Sequence, residues 1–368
     1  MRMRGIVFVG DGKAVVTDEL EVRDPLPHEV VVRMVNAGVC HSDLSVLDGT
    51  IPFPTPCAMG HEGAGVVEEV GSAVGSVVPG DHVVLSTLAN CGRCSACARG
   101  LPTRCRSSIG NMTRPFTYQG DPCFNFAATS CFAERTVIDA IQAVKIDPAV
   151  PFTSACLIGC GVITGMGAVL NRAKVAPGET AAVFGVGGVG LNAIQALRLS
   201  GAARIIAVDT LASKEGLARR FGATDWIDAA AVDSTADAIR ALLPGGKGMY
   251  NPGGVDWAFE CTGVPKVLHD AIDALEWGGT AVAVGVPPAA AMLEKSIFQS
   301  FVYIDKGVIG CRYGTARPHH DFPKIADMYL QGKVLLDELV SEVYPHGEFH
   351  TVLEHMHEGR LARGVLAF

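Results

Sequence analysis

Four cysteines, Cys91, Cys94, Cys97 and Cys105, fall within the run CGRCSACARGLPTRC. Two CxxC steps share their middle cysteine and a fourth thiol follows in the same loop, so four thiolates can converge on one ion. Sulfur-only ligation with no open position is the chemistry of a structural zinc site. Disulfides fit poorly, because adjacent CxxC steps are too short for a disulfide framework in a chain of 368 residues. The lobe spanning about residues 90–106 is expected to need its metal to fold. Any reaction must then be carried by other residues.

Three more fragments offer ligands: Cys40 in AGVCHSD, His61 in MGHEGAG and Cys160 in LIGCGVITG. Each lies near glycine, where backbone can come close. Two thiolates and one imidazole leave a fourth position open, as a catalytic zinc requires. The fragments are far apart, however, and spacing alone does not join them. Taken singly, each cysteine reads as an ordinary core residue.

A third chemistry is legible at Gly185-Val186-Gly187-Gly188-Val189-Gly190. The strand TAAVF precedes this GxGxxG run and a helix follows at once, which is the context a dinucleotide site needs. The glycines at 185, 187 and 190 serve the tight turn, the approach of a pyrophosphate and helix–strand packing, and Gly188 lies in the same run. The helix N-terminus offers free N–H groups to phosphate. Asp209 ends the next strand, RIIAVD, about twenty residues on, where an acid binds the ribose hydroxyls and repels a 2′-phosphate. NAD is therefore expected over NADP. Lys214 could reach the adenosine ribose or phosphate, or be a solvated helix lysine.

These residues need scaffolds of two kinds. Up to about residue 150 the chain reads as short strands and turns, including EVVVRMVNAGV, EGAGVVEEVG and DHVVLS. From about Gly161 to Gly310 strands alternate with helices, which implies a parallel sheet covered on both faces. The expected fold is α/β, with a β-rich unit of residues 1–160 and 311–368 interrupted by a doubly wound domain of residues 161–310. Hydrophobic residues make up 49% and charged residues 18%, enough apolar chain for a sizeable core in both. A net charge of −8 argues against nucleic acid or an anionic membrane as partner. The apolar run after the basic N-terminus is only about five residues, shorter than a signal peptide needs, and reads as a first strand. Twelve cysteines with metal-like spacing fit a reducing cytoplasm.

Taken in order, CHSD, GHEGAGVVEEVG, the CxxCxxC lobe, GCGVITG, FGVGGVG and the final RGVLAF resemble the zinc-dependent medium-chain alcohol dehydrogenases over essentially the whole chain. The resemblance implies a GroES-like catalytic domain, a Rossmann coenzyme domain and a cleft between them. It implies two zinc ions and NAD, with Cys40, His61 and Cys160 on the catalytic ion. It makes Glu62 an acid able to approach the metal, and Asp43 the acid that orients the zinc histidine. Ser42 matches a hydroxyl that carries the substrate proton away. Many relatives end that relay on a histidine three residues later, where this chain has Ser45. His41 and Arg363 match contacts to the coenzyme phosphates, although His41 could be an exposed loop residue. Thr164, Val189 and Val284 match positions along the nicotinamide and could equally be core.

The segment GNMTRPFTYQGDPCFNF resembles the longer branch of the family, which includes liver-type, glutathione-dependent formaldehyde and benzyl-alcohol-type enzymes. Ile51 stands where the glutathione-adduct enzymes carry an acid, and Arg114 stands near an expected anion-binding arginine. Thr87 replaces a bulky aromatic, which leaves room for a branched or aromatic alcohol, and Ile51, Phe53 and Phe116 are expected to add apolar wall. The expected activity is reversible oxidation of an alkyl or aromatic primary alcohol to the aldehyde by a homodimer. Oxidation of a formaldehyde–thiol adduct is the alternative, and a coenzyme-binding protein stabilised by structural zinc is the alternative of another class. The remaining cysteines, including Cys57, Cys131 and Cys261, are expected to be core thiols. His319 and His320 are expected in a surface loop, and the histidines from His346 to His357 on a solvated helix face.

Overall fold

A computed structural model describes residues 2–108, 113–243, 245 and 253–368. The chain divides into two compact units, Met1–Gly161 with Ala316–Phe368, and Val162–Thr315. Residues 311–315 thus belong to the second unit, where Gly314 packs so closely on Gly167 that a Cβ there would lie 2.2 Å from the Gly314 carbonyl oxygen.

The first unit holds a closed barrel and a seven-stranded sheet. Strands Arg2–Gly10, Lys13–Val22, Phe116–Tyr118, Asp121–Asn125 and Cys57–Ala58 form the barrel. The inserted segment supplies its Phe116–Asn125 hairpin, while Gly110, Asn111 and Met112 lie outside the described residues. In the larger sheet Glu29–Val39 is central, an eleven-residue valine-rich run that is buried except at Arg33 and Val35. It pairs antiparallel with Glu62–Val70 on one side and with the C-terminal strand Arg363–Ala367 on the other. Gly38 faces Glu62 and Val39 faces Gly364, so Cys40, His61 and Arg363 emerge at one end of three adjacent strands. One core runs through this unit, built on Val30, Val32, Met34, Phe126, Phe132 and Phe349.

The second unit is a six-stranded parallel sheet. Its order is Asp225–Asp228, Arg204–Asp209, Thr180–Phe184, Val255–Glu260, Leu275–Ala283, Gly307–Gly310. Ranked along the chain this is 3-2-1-4-5-6, the doubly wound dinucleotide-binding arrangement, with its switch point between Thr180–Phe184 and Val255–Glu260. The strands read as near-continuous apolar runs because helices such as Gly188–Ser200 cover them. No single helix among the described residues is long and apolar enough to cross a membrane.

His319 and His320 are exposed, as expected, but sit in the first turn of the helix Pro318–Leu330 rather than in a loop. His346 corrects a second expectation. It is 3% exposed, its Nε2 is 3.2 Å from the Phe132 carbonyl, and its ring packs on Phe368. Only the later histidines follow the expected face, with His350 and His357 exposed.

Candidate catalytic and coenzyme sites

In the lobe, the sulfurs of Cys91, Cys94, Cys97 and Cys105 lie within 4.8 Å of one another. The Cys94–Cys97 and Cys91–Cys105 sulfur pairs are each 3.6 Å apart. That is far beyond an S–S bond of about 2.05 Å and close to the tetrahedron edge of about 3.8 Å that Zn–S bonds of about 2.3 Å generate. The Cys91 N–H donates to Cys105 Sγ and the Cys94 N–H to Cys91 Sγ, both at 3.4 Å. Such donors favour the thiolate. The Cys91 N–H is the main reason the Cys105 thiol is pulled down to about 6, and backbone donors also lower Cys91. All twelve cysteines are free thiols.

The second cluster joins Cys40, His61, Glu62 and Cys160, whose ligand atoms also lie within 4.8 Å of one another. Cys40 caps the short helix His41–Leu47, and Cys160 follows the turn Cys156–Gly159. Asp43 is fully buried, accepts the Cys40 N–H at 2.9 Å and meets His61 Nδ1 at 3.2 Å. With Nδ1 so engaged, the neutral imidazole presents Nε2 as the acceptor. His61 Nε2 is buried and has no hydrogen-bond partner among the described residues. An orphaned buried nitrogen beside two thiols is what a metal would satisfy, so these residues fit zinc. The bond from the Cys160 thiol holds Cys40 well below the usual thiol range, and the same bond raises Cys160.

Glu62 is the acid behind this cluster. Burial pushes its carboxyl up to about 7, against the pull of the Arg363 guanidinium 3.7 Å away. Its Oε1 accepts the Gly161 N–H at 3.0 Å, and Oε2 sits where a Cβ on Gly38 would come within 2.4 Å. Gly38 therefore makes room for this acid, and Gly161 makes room for Arg363. Arg363 is 7% exposed, its guanidinium directed at Glu62 within the first unit. Ser42 is half-buried with Oγ 4.0 Å from Cys40 Sγ, while His41 is exposed.

Of the expected apolar wall, Ile51 and Phe53 are half-buried against the core that contains Phe126. Thr87 is half-buried just past the strand His82–Leu85. Phe116 does not join them. It is 1% exposed and packs in the separate barrel core with Met3, Val7, Leu20 and Ala58, because its strand closes the barrel. The aromatic beside His61 is Phe126, edge-on to it at 5.5 Å and to Phe53 at 5.2 Å. It is held by an irregular turn in which Ser130 Oγ accepts the Phe126 N–H at 2.9 Å and Ala127, Ala128 and Ser130 have positive φ. No spacing in NFAATSC signals this. Arg114 is exposed, its guanidinium 4.0 Å over the Phe124 ring.

In the second unit, Gly185 turns the chain at φ 88° and Gly187 caps the helix Gly188–Ser200. A Cβ on Gly190 would lie 1.9 Å from the Gly185 carbonyl, so helix and strand can pack only with glycine there. Asp209 is 9% exposed and braces the turn, accepting the Val186 N–H at 2.7 Å and the Leu211 N–H at 3.1 Å. Lys214, expected at the adenosine, pairs with Asp209 at 2.9 Å. Val189 and Thr164 are half-buried, and Val284 is buried at the end of its strand.

Two family models match the chain: the alcohol dehydrogenase GroES-like domain over residues 26–148 and the zinc-binding dehydrogenase over residues 188–331. The chain is 37% identical to the alcohol dehydrogenase class-3 of Cereibacter sphaeroides, with both chains fully covered. It is 36% identical, again over both full lengths, to the S-(hydroxymethyl)glutathione dehydrogenase of Paracoccus denitrificans. The benzyl alcohol dehydrogenase of Acinetobacter calcoaceticus superposes with a TM-score of 0.90 at 31% identity, covering 100% of this chain and 99% of that one. An alcohol dehydrogenase zinc-binding domain protein from Burkholderia ambifaria gives 0.92 at 34% identity, with the same coverage. The chain belongs to the zinc-dependent medium-chain alcohol dehydrogenases. It is an oxidoreductase of that family, which uses a nicotinamide coenzyme and zinc.

Proposed function

We propose that the chain oxidises apolar or aromatic primary alcohols with NAD, reversibly, at the cluster of Cys40, His61 and Cys160. The observation that carries this is the aromatic pair at the ligand histidine: Phe126 meets His61 edge-on, and Phe53 meets Phe126. Apolar walls of this kind favour a hydrocarbon substituent. Zinc held there supplies a Lewis acid for the substrate oxygen. Asp43 keeps His61 in the tautomer that presents Nε2, and Ser42 lies at the edge of the cluster to take the hydroxyl proton outward. Coenzyme pyrophosphate binds the N–H groups at the start of the helix Gly188–Ser200, and Asp209 accepts the ribose hydroxyls. Cys91, Cys94, Cys97 and Cys105 hold a second, structural zinc.

The similarity to an alcohol dehydrogenase class-3 and to an S-(hydroxymethyl)glutathione dehydrogenase supports a second reading, oxidation of a hydroxymethyl–thiol adduct. A panel of alcohols, followed by NADH absorbance, separates the two. Benzyl or cinnamyl alcohol should exceed ethanol in kcat/KM, since each buried methylene-sized group contributes up to about 0.8 kcal/mol in the transition state. Thr87→Phe should damage the bulky alcohols selectively. Turnover of formaldehyde only with added glutathione, and none of benzyl alcohol, would replace the first reading with the second.

We also assign the chain as a homodimer joined through the edge strand Gly307–Gly310. Among the described residues that strand pairs on one side only, and Ile297, Phe298 and Val302 before it are 63–74% exposed. Light scattering at micromolar concentration should give twice the chain mass.

A further inference from the structure

Glu260 is the last residue of Val255–Glu260, on one side of the switch point of the parallel sheet. It is 2% exposed, and a carboxyl group is seldom left so deep without a task. One oxygen, Oε1, takes three donors from its own loop: the Thr262 N–H at 2.6 Å, the Thr262 hydroxyl at 2.5 Å and the Gly263 N–H at 2.9 Å. The backbone is equally engaged. The Glu260 carbonyl accepts the Val284 and Gly285 N–H groups, both at 2.9 Å, and the next N–H, of Cys261, donates to Phe184 at 2.9 Å.

The clamped loop touches the coenzyme-facing elements on both flanks. A Cβ on Gly185 would lie 2.5 Å from the Thr262 methyl, so the first glycine of the turn rests on Thr262. On the other side, a Cβ on Gly285 would lie 2.0 Å from the Gly263 nitrogen. Residues 261–263 are thus wedged between the glycine turn and the end of Leu275–Ala283, with no slack on either face.

We infer that Glu260 is a positioning residue for the nicotinamide coenzyme. It fixes Thr262 and Gly263 as a spacer that sets the distance between the pyrophosphate turn at Gly185 and the strand end at Val284. The inference rests on reading that turn as the coenzyme site. Glu260 acts through the loop that its Oε1 holds by three donors.

The test is NADH binding by the zinc-loaded full chain, followed by nicotinamide fluorescence without substrate. Glu260→Ala removes the acceptor, and Glu260→Gln keeps a carbonyl oxygen in its place. Thr262→Val keeps the methyl that supports Gly185 but loses the hydroxyl that donates to Glu260 and accepts the Val264 N–H. The alanine variant should bind NADH at least about tenfold more weakly, the glutamine variant within about threefold of wild type, and the valine variant in between. At saturating coenzyme the KM for alcohol should be unchanged in all three. Zinc content and near-ultraviolet circular dichroism report whether each variant is folded. If Glu260→Ala does not fold, Glu260→Gln and Thr262→Val decide: equal losses in both, or none in Thr262→Val, overturn the inference. A folded Glu260→Ala that binds NADH like wild type also overturns it. Wild type that fails to bind NADH would instead remove the coenzyme-site reading.

Discussion

Replacing Asp43 by asparagine should loosen one zinc and leave the other as firmly held as before. Asp43 is fully buried and serves two donors at once, the Cys40 N–H at 2.9 Å and His61 Nδ1 at 3.2 Å. An amide has one acceptor oxygen and one NH2 group, so it can satisfy only one of them. If the oxygen stays on His61, the NH2 faces the Cys40 N–H and leaves that group orphaned. If the amide flips, the NH2 donates to Nδ1, the ring changes tautomer, and Nε2 carries the proton where a metal should bind. Either arrangement costs about 1–3 kcal/mol for an unmet buried donor or a misplaced proton. Loss of such a supporting group typically weakens a metal site 10- to 100-fold, about 1.4–2.8 kcal/mol, which agrees with that range. Zinc retained per chain should be followed against a graded series of chelator. Wild type should release its ions in two steps, and Asp43→Asn should lose the first at a 10- to 100-fold lower chelator strength. The lobe ion, held by four sulfurs, is the internal control. Identical release curves for the two proteins would refute the role given to Asp43.

Cys97→Ser should lower the melting temperature and release the lobe ion, whereas Cys160→Ser should abolish activity while the fold survives on lobe zinc; equal activity loss with both ions retained in each would overturn the division of labour. Asp209→Ser should narrow the preference for NAD over NADP in kcat/KM, and a wild type that already prefers NADP would sink that assignment. Lys306 supplies a pH effect. Burial lowers its amine to about 8, so folding favours the neutral form and stability rises with pH between about 8 and the unfolded value near 10.4. Lys306→Met should therefore melt higher than wild type at pH 7, with the gap closing by about pH 10.5 in a thermal-shift series; a gap flat across pH would refute the burial argument.

What could be read from the chain alone was whatever is encoded within one loop or one strand–turn–helix unit. The four lobe cysteines span fifteen residues, CGRCSACARGLPTRC, so their convergence is a property of a short segment. The glycine turn is equally local: Gly190 must lack a Cβ because Gly185, five residues earlier, lies against it. Asp209 was legible because a strand, a helix and a second strand fix its distance from that turn.

The cluster of Cys40, His61 and Cys160 was different. The resemblance joined these residues, but no periodicity did. What brings two of them together is the pairing of Glu29–Val39 with Glu62–Val70, and the pairing with Arg363–Ala367 puts Arg363 beside Glu62. Phe116 and Phe126 show the limit most plainly. Both are aromatic residues of the same inserted stretch, ten positions apart, and composition cannot rank them. Barrel closure sends Phe116 into a separate core, while the turn at Ala127–Ser130 sets Phe126 against His61. His346 is likewise covered by groups distant in sequence, the Phe132 carbonyl and the Phe368 ring. Local chemistry was determined by spacing along the chain; which side chains share a site was decided by strand register, because hydrogen-bonded pairing brings together residues that no sequence interval connects.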